Sequence, residues 1–379
     1  MDIINRQMNI ITHLKENFVS YMLFIMIILV IIFVLCYYFY MTNLLNRECY
    51  NMDNLFSTLN GSIKSLSTSD PNCGYTFKDY YIKTAYNCCS PGTFKNDYVS
   101  TCALKDVLKQ GVRGLDFEIF SVGDQPVVAT STVENNHIKE TYNFVPFSEV
   151  MNIVTTYGFA SSTVPNKLDP IVFHFRFKSA NQKMYQNLAN LFKSYDSFFL
   201  GPSSSFEQNG SNFGNTKLMS LVASDTNPQG KIVVIVDKLN NTFMDTPDFF
   251  EYVNMTSNSM FMRALHYYDV KNTPDLVELQ DYNKQNMSIS MPDVGENPPN
   301  PSAIVCRETG CQMIAMMYQK NDMNLQENNV FFNNCGYAFC LKPANLRYIP
   351  VEIPEPPPQN PALSFQQRSV SSDYYAFNI

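Results

Sequence analysis

Hydrophobic and polar positions divide the chain into clear regimes. Between Glu16 and Arg47 no charged residue occurs, and FVSYMLFIMIILVIIFVLCYYFYM fills residues 18–41. A helix needs about 20 apolar residues to cross the hydrocarbon of a bilayer, so this run predicts one transmembrane helix with length to spare. Tyr37, Tyr38 and Tyr40 cluster at its C-terminal end, where aromatic rings favour the headgroup layer. A cleaved signal peptide has an apolar region of about 7–15 residues ending in a small-residue cleavage site. Neither feature is present, and the expectation is an uncleaved anchor.

Residues 1–17 form a polar N-terminal segment, and residues 42–70 turn polar and Ser/Asn-rich, which suits a stalk. From about Cys73 the chain alternates. Residues 82–87, 114–122, 126–131, 169–177 and 231–238 read as strands rich in β-branched and aromatic residues, while 100–111, 146–159 and 181–199 carry helical patterns. Such alternation implies βαβ units and a largely parallel sheet. Loops are expected at 201–215 and 292–302, and GYAFCLKPANLRYIP (336–350) closes the folded unit. The Pro-rich run 353–361 reads as a polyproline spacer before an extended aromatic tail, 351–379 in all.

Charge narrows the partners. A net charge of −7 and a pI near 5.2 argue against nucleic acid, whose affinity comes mainly from Lys and Arg on phosphates. Attachment to lipid therefore falls to residues 18–41. Arg6, Lys15 and the amino terminus precede the helix while Arg47 alone follows closely, which favours a cytoplasmic N-terminus. The domain then lies in the lumen of the endoplasmic reticulum, outside the cell, or on a face of an internal viral membrane. Of ten cysteines, Cys36 lies in the span, and no pair among the rest has zinc spacing. Disulfide pairing cannot be read from spacing. Sequons at Asn60, Asn209, Asn240, Asn254 and Asn286 are weak support for a luminal domain in so asparagine-rich a chain.

Two segments carry an identity. LKQGVRGLDFEIFSVGDQPVVATST (108–132), followed by PFSEVMNIV and DPIVFHFRF, is the first; GCQMIAMMYQKNDMNLQENNVFFNNCGYAFCLKPANLR (310–347) is the second. Together they resemble the X and Y halves of the phosphoinositide-specific phospholipase C barrel, X-like over 73–240 and Y-like over 250–350. Within that family the chain looks most like phospholipase C-like proteins of large nucleocytoplasmic DNA viruses. The resemblance implies a TIM-type (β/α)₈ barrel over 71–350, with any pocket at the C-terminal ends of the strands.

The family uses two histidines as general base and acid, and a calcium ion held by an asparagine and three carboxylates. Where the first histidine is expected this chain has Tyr86, followed by the retained Asn87. Asp116 and Glu118 stand at the paired acidic ligands, two apart on one strand and so on one face. Thr130 replaces the second histidine, and Arg176 stands where the last carboxylate ligand belongs. Calcium is implied only if Asn87, Asp116 and Glu118 still bind it; no other cofactor is indicated.

His174, two residues before Arg176, shares its inward face and is the one histidine placed in the pocket. A relocated-base mechanism would use His174 and Arg176 with the two acids, Arg176 supplying a fixed charge in place of calcium. The plainer expectation is an ion pair between Arg176 and Asp116 or Glu118 filling a dead pocket. Lys238 lies near a family lysine that meets inositol phosphates. His137 is expected on an exposed loop, His266 in a packed helix, and His13 has no site role. The leading expectation is therefore a membrane-anchored phospholipase C-like protein with a degenerate site, acting as a binding or structural component. Alternatives are an active phosphoric diester hydrolase on phosphatidylinositol-type lipid with altered chemistry, and a structural virion or membrane-scaffold protein.

Overall fold

The runs GLDFEIF, IVFHFRF and IVVIVD are apolar on both faces, the pattern of parallel strands covered on each side. In the computed structural model, which describes residues 17–133, 137–210, 212–223, 230–350 and 367–379 with Met8, Thr12 and Pro358, they lie side by side. Eight parallel strands make the barrel: β1 Tyr80–Ala85, β2 Gly114–Val122, β3 Ile171–Phe177, β4 Ile232–Asp237, β5 Met255–Ser257, β6 Met262–His266, β7 Met287–Met291 and β8 Met313–Met316. Their order is β5-β4-β3-β2-β1-β8-β7-β6, so the sheet nearly closes on itself. A short strand, Phe339–Leu341, pairs antiparallel with β1.

Strand periodicity sorts the side chains. Leu115, Phe117 and Ile119 with Phe173, Phe175 and Phe177 pack outward against the helices, while Ile82, Val172, Val233, Ile235, Met255 and Met287 fill the lower interior. The alternate residues Asp116, Glu118, His174 and Arg176 point inward near the strands' C-terminal ends. Helices α2 Thr101–Lys109, α3 Phe147–Thr156, α4 Gln182–Lys193, α5 Leu276–Gln285, α6 Ala303–Glu308 and α7 Met323–Cys335 surround the sheet. Ser100 caps α2 through the amide of Cys102, and Gly111, at φ 74°, turns the chain from α2 toward β2 in a conformation that suits glycine.

The apolar helix α1 runs from Phe18 to Phe56, exposed throughout its hydrophobic stretch. Residues 42–56, read from their polarity as stalk, continue it. Their polar positions face solvent while Leu44, Met52 and Phe56 are buried. Phe56 packs edge-on against Tyr318, Lys109 pairs with Asp53 at 3.0 Å, and Cys49 is disulfide-bonded to Cys102. A second disulfide joins Cys335 and Cys340. Cys73, Cys88, Cys89, Cys306 and Cys311 are free and buried.

Residues 348–379 form a separate unit. Within it Ser369–Ser372 and Tyr375–Asn378 pair as a hairpin rather than extending singly, with Val370 opposite Phe377. Cross-strand apolar pairs of this kind stabilise two-stranded ribbons. Apart from Pro358, the polyproline run lies outside the described residues, as does His13.

The Cys49–Cys102 bond closes a loop of 53 residues, for which chain entropy gives about 4 kcal/mol as an upper figure. Cys49→Ser should lower unfolding free energy by about 2–4 kcal/mol in urea titrations, and the variant's stability should respond less to reductant. Burial pushes the amines of Lys83 and Lys342 down to about 7. Above that pH each is neutral when folded but protonated when unfolded, so the unfolded chain binds more protons and stability rises with pH. The melting temperature should climb between pH 7 and 9, less steeply in Lys83→Met.

Candidate active site

The register of β2 on β3 builds the site. Asp116 stands beside His174 and Glu118 beside Arg176 across the ladder, all four on the inward face. Arg176 extends over both carboxylates. Its Nε and Nη2 donate to Asp116 Oδ1 and Oδ2 at 3.0 and 2.7 Å. Nη1 donates to Glu118 Oε1 at 2.6 Å and Nη2 also to Asn87 Oδ1 at 2.8 Å. Tyr86 lies against the guanidinium, 4.5 Å from ring centroid to Cζ, a distance suited to cation–π attraction.

The chain leaves β1 just before Asn87, whose φ of 43° places it in the left-handed region that Asn tolerates better than most residues. That bend aims its backbone N–H at Asp116 Oδ2, 3.1 Å away. The hairpin strand after β2, expected over 126–131, pairs only over Gln125–Val128. Beyond it the backbone turns in, and Ser131 N–H donates to Glu118 Oε2 at 2.8 Å. Thr130 donates its hydroxyl to the carbonyl of Phe94 and contributes no acid or base.

Burial would push both carboxyls up, with opposite outcomes. At Asp116 the neighbouring Arg176 and the hydrogen bond from His174 overcome it and hold the group below the usual carboxylate range. At Glu118 burial wins against Arg176 and Lys178, and the group lies above its ordinary value. The carboxylates in turn raise Arg176 against its own desolvation.

His174 is fully buried. Its Nδ1 lies 2.7 Å from Asp116 Oδ1 and its Nε2 2.9 Å from Ser257 Oγ. In the neutral ring Nδ1 therefore carries the proton, since a carboxylate only accepts, and Nε2 accepts from Ser257. The sequence gives no signal for Ser257, which ends the three-residue strand β5, too short to show a period. The connectivity is that of a Ser–His–Asp triad, but Ser257 is also fully buried, and Arg176 shares the aspartate.

Space at the mouth is scarce. Tyr86, Phe94, Glu118, Ser131, Arg176, His266 and Asp293 enclose a cavity of about 10 Å³, room for no more than about one water. Beside it, at the ends of β3 and β4, Arg176, Lys178, Asp237 and Asn240 help line an open groove of about 290 Å³. Lys238 is not among its lining residues; its amide bonds to the Ser257 carbonyl. His137 is exposed at the groove's edge, 3.0 Å from the Lys178 carbonyl. His266, expected in a helix, is instead the last residue of β6 and meets the Pro292 carbonyl. The window FMRALHYYDV spans a strand-to-helix junction, which blurs both periodicities.

No protein-family model and no curated protein matches the chain. The crystal structure of L. pealei PLC21 superimposes with a TM-score of 0.53 at 17% identity, over 73% of this chain and 38% of that one. S. officinalis PLC21 gives 0.51 at 18% identity with the same coverage of both chains. The barrel has the phospholipase C-like phosphodiesterase fold.

That fold raises the question of calcium, and the residues do not fit it. Asn87 Oδ1, both oxygens of Asp116 and Glu118 Oε1 accept from Arg176, and Glu118 Oε2 accepts from Ser131 N–H, so the oxygens that would ligate the ion are all engaged. Among the described residues no group of three or more His, Cys, Asp or Glu is arranged for a metal. A guanidinium thus fills the space among the residues that the sequence resemblance would assign to calcium. The viral likeness is not carried by these structural matches.

Removing one member of a buried ion pair strands the rest. Arg176→Met should cost about 3–5 kcal/mol in denaturant unfolding, and Asp116→Asn in the same background should recover part of it. Equal losses for the single and double variants would contradict the coupling.

Proposed function

We propose that this chain is a membrane-anchored phospholipase C-like barrel whose catalytic site has become a structural ion-pair cluster, serving as a binding or structural component at a membrane. The observation that supports this best is the engagement of Arg176 with Asn87, Asp116 and Glu118 together. It uses the retained acidic groups for cohesion, under a mouth with almost no free volume. No imidazole stands at Tyr86 or Thr130, and His174 has both nitrogens committed within the core. Helix α1 supports anchoring, since it is apolar, exposed and long enough to cross a bilayer. A cytoplasmic N-terminus with the barrel on the oxidising side accords with the two disulfides.

The second reading, an active diester hydrolase with altered chemistry, is favoured by the Asp116–His174–Ser257 connectivity. Phosphatidylinositol is the lipid both readings bring forward, as substrate in one and bound headgroup in the other. Full-length protein reconstituted with phosphatidylinositol should release no inositol phosphate, with or without millimolar calcium. Release that disappears in His174→Ala would establish the hydrolase instead. Arg176→Glu restores a carboxylate to the family's ligand position. Its melting temperature should rise with added calcium, while that of the natural chain should not.

A further inference from the structure

The fold does not treat the asparagines of the five sequons alike. Asn254 is buried, and its carboxamide donates from Nδ2 to the Ser204 carbonyl at 3.0 Å while accepting the Val234 N–H at 2.8 Å. Asn240 donates from Nδ2 to the carbonyls of Phe177 and Ser179 at 3.2 and 2.8 Å, and accepts the Thr242 N–H at 3.1 Å. Asn60 donates to Asn333 Oδ1 at 2.8 Å and accepts the Ser62 N–H at 3.1 Å. In all three, both ends of the side chain hold the fold together. A sugar on Nδ2 would cost that nitrogen a hydrogen and demand room for a bulky group. The sequon of Asn209 ends in Ser211, which lies outside the described residues.

Asn286 differs. It stands between α5 and β7, at the N-terminal end of a strand and so on the face of the barrel opposite the mouth. Its backbone is fixed from both sides: the N–H donates to the Tyr282 carbonyl at 2.8 Å, and the carbonyl accepts from Gln312 Nε2 at 2.9 Å. Its carboxamide has no hydrogen-bond partner among the described residues. The residue is partly exposed, at the edge of an open surface depression that Val277, Asp281 and Gln285 also line. The backbone is held and the side chain is free. Two residues on, Ser288 completes the Asn-Met-Ser sequon, and its hydroxyl, buried in β7, makes no hydrogen bond that the fold would lose.

We propose that Asn286 is an N-glycosylation site, the one acceptor among the four sequons described in full. This rests on the reading that the barrel lies on the luminal, oxidising side of its membrane. Asn286 Nδ2 forms a bond to the anomeric carbon of an oligosaccharide carried on a lipid diphosphate. The bond from that carbon to the diphosphate breaks, the diphosphate leaves with the electron pair, and one amide proton passes to solvent. Because the Ser288 hydroxyl is buried in the folded barrel, transfer takes place before β7 closes. A chain modified at Asn240 or Asn254 at that stage could not complete the bonds those side chains make, so folded molecules carry no glycan there. A glycan on Asn286 stands clear of the mouth and leaves the groove beside Arg176 open.

The full-length chain would be made in cultured eukaryotic cells, purified folded in detergent, and treated with peptide N-glycosidase in heavy-oxygen water. That treatment converts each glycosylated asparagine to labelled aspartate for peptide mass spectrometry. Ser161→Asn supplies a control acceptor, since Ser161 is exposed and lies two residues before Thr163. Label should appear at Asn286 and at none of Asn60, Asn240 and Asn254, and Ser288→Ala should remove it from Asn286. An unlabelled Asn286 beside a labelled position 161 would overturn the assignment and leave the luminal barrel standing. No label at either position would remove the luminal reading and this proposal with it. Label at Asn254 in folded protein would also overturn the assignment, since the fold would then tolerate what its buried bonds exclude.

Discussion

The guanidinium of Arg176 holds the mouth of the barrel together. It joins β3 to two carboxylates on β2 and to the amide oxygen of Asn87 just beyond β1. The ions among them lose their water on burial, a cost of several kcal/mol each, and their mutual ion pairs and hydrogen bonds offset much of it. Without Arg176 two buried carboxyl groups face each other, and without them Arg176 is an unpaired buried charge.

The surrounding features accord with that constraint. Tyr86 covers the guanidinium with its ring, 4.5 Å from centroid to Cζ. Ser131 N–H satisfies the remaining oxygen of Glu118, and His174 orders Asp116 from the other side while passing its second nitrogen to Ser257. The oxygens of Asp116 and Glu118 are thus engaged inside the cluster, under a cavity of about 10 Å³. Beside that mouth, the open groove at the ends of β3 and β4 has a volume of about 290 Å³.

Much of this could be read along the chain where the period was long enough. Nine residues of β2 and seven of β3 show which side chains share a face, and the pairing of Asp116 and Glu118 with Arg176 follows from that alternation. Sequence spacing does not give ladder register, so the simultaneous contact with both acids and Asn87 emerged only in three dimensions. The second half of the barrel was harder. Strands β5 to β8 have three to five residues each and are rich in methionine, which has no strong strand preference; there the family resemblance, not periodicity, carried the fold. Polarity likewise concealed the continuation of α1 through residues 42–56, because only Leu44, Met52 and Phe56 mark its docked face.

Helix α1 is stapled to the barrel beside the β1–α2 segment that delivers Asn87, and at the site the guanidinium of Arg176 stands where the sequence resemblance implies calcium. A crystal of the chain grown in millimolar calcium, with anomalous data collected to locate the ion, addresses that substitution most directly. The guanidinium of Arg176 should lie among Asn87, Asp116 and Glu118 with no anomalous peak between them. A peak at that position, with Arg176 swung out of the barrel, would contradict it.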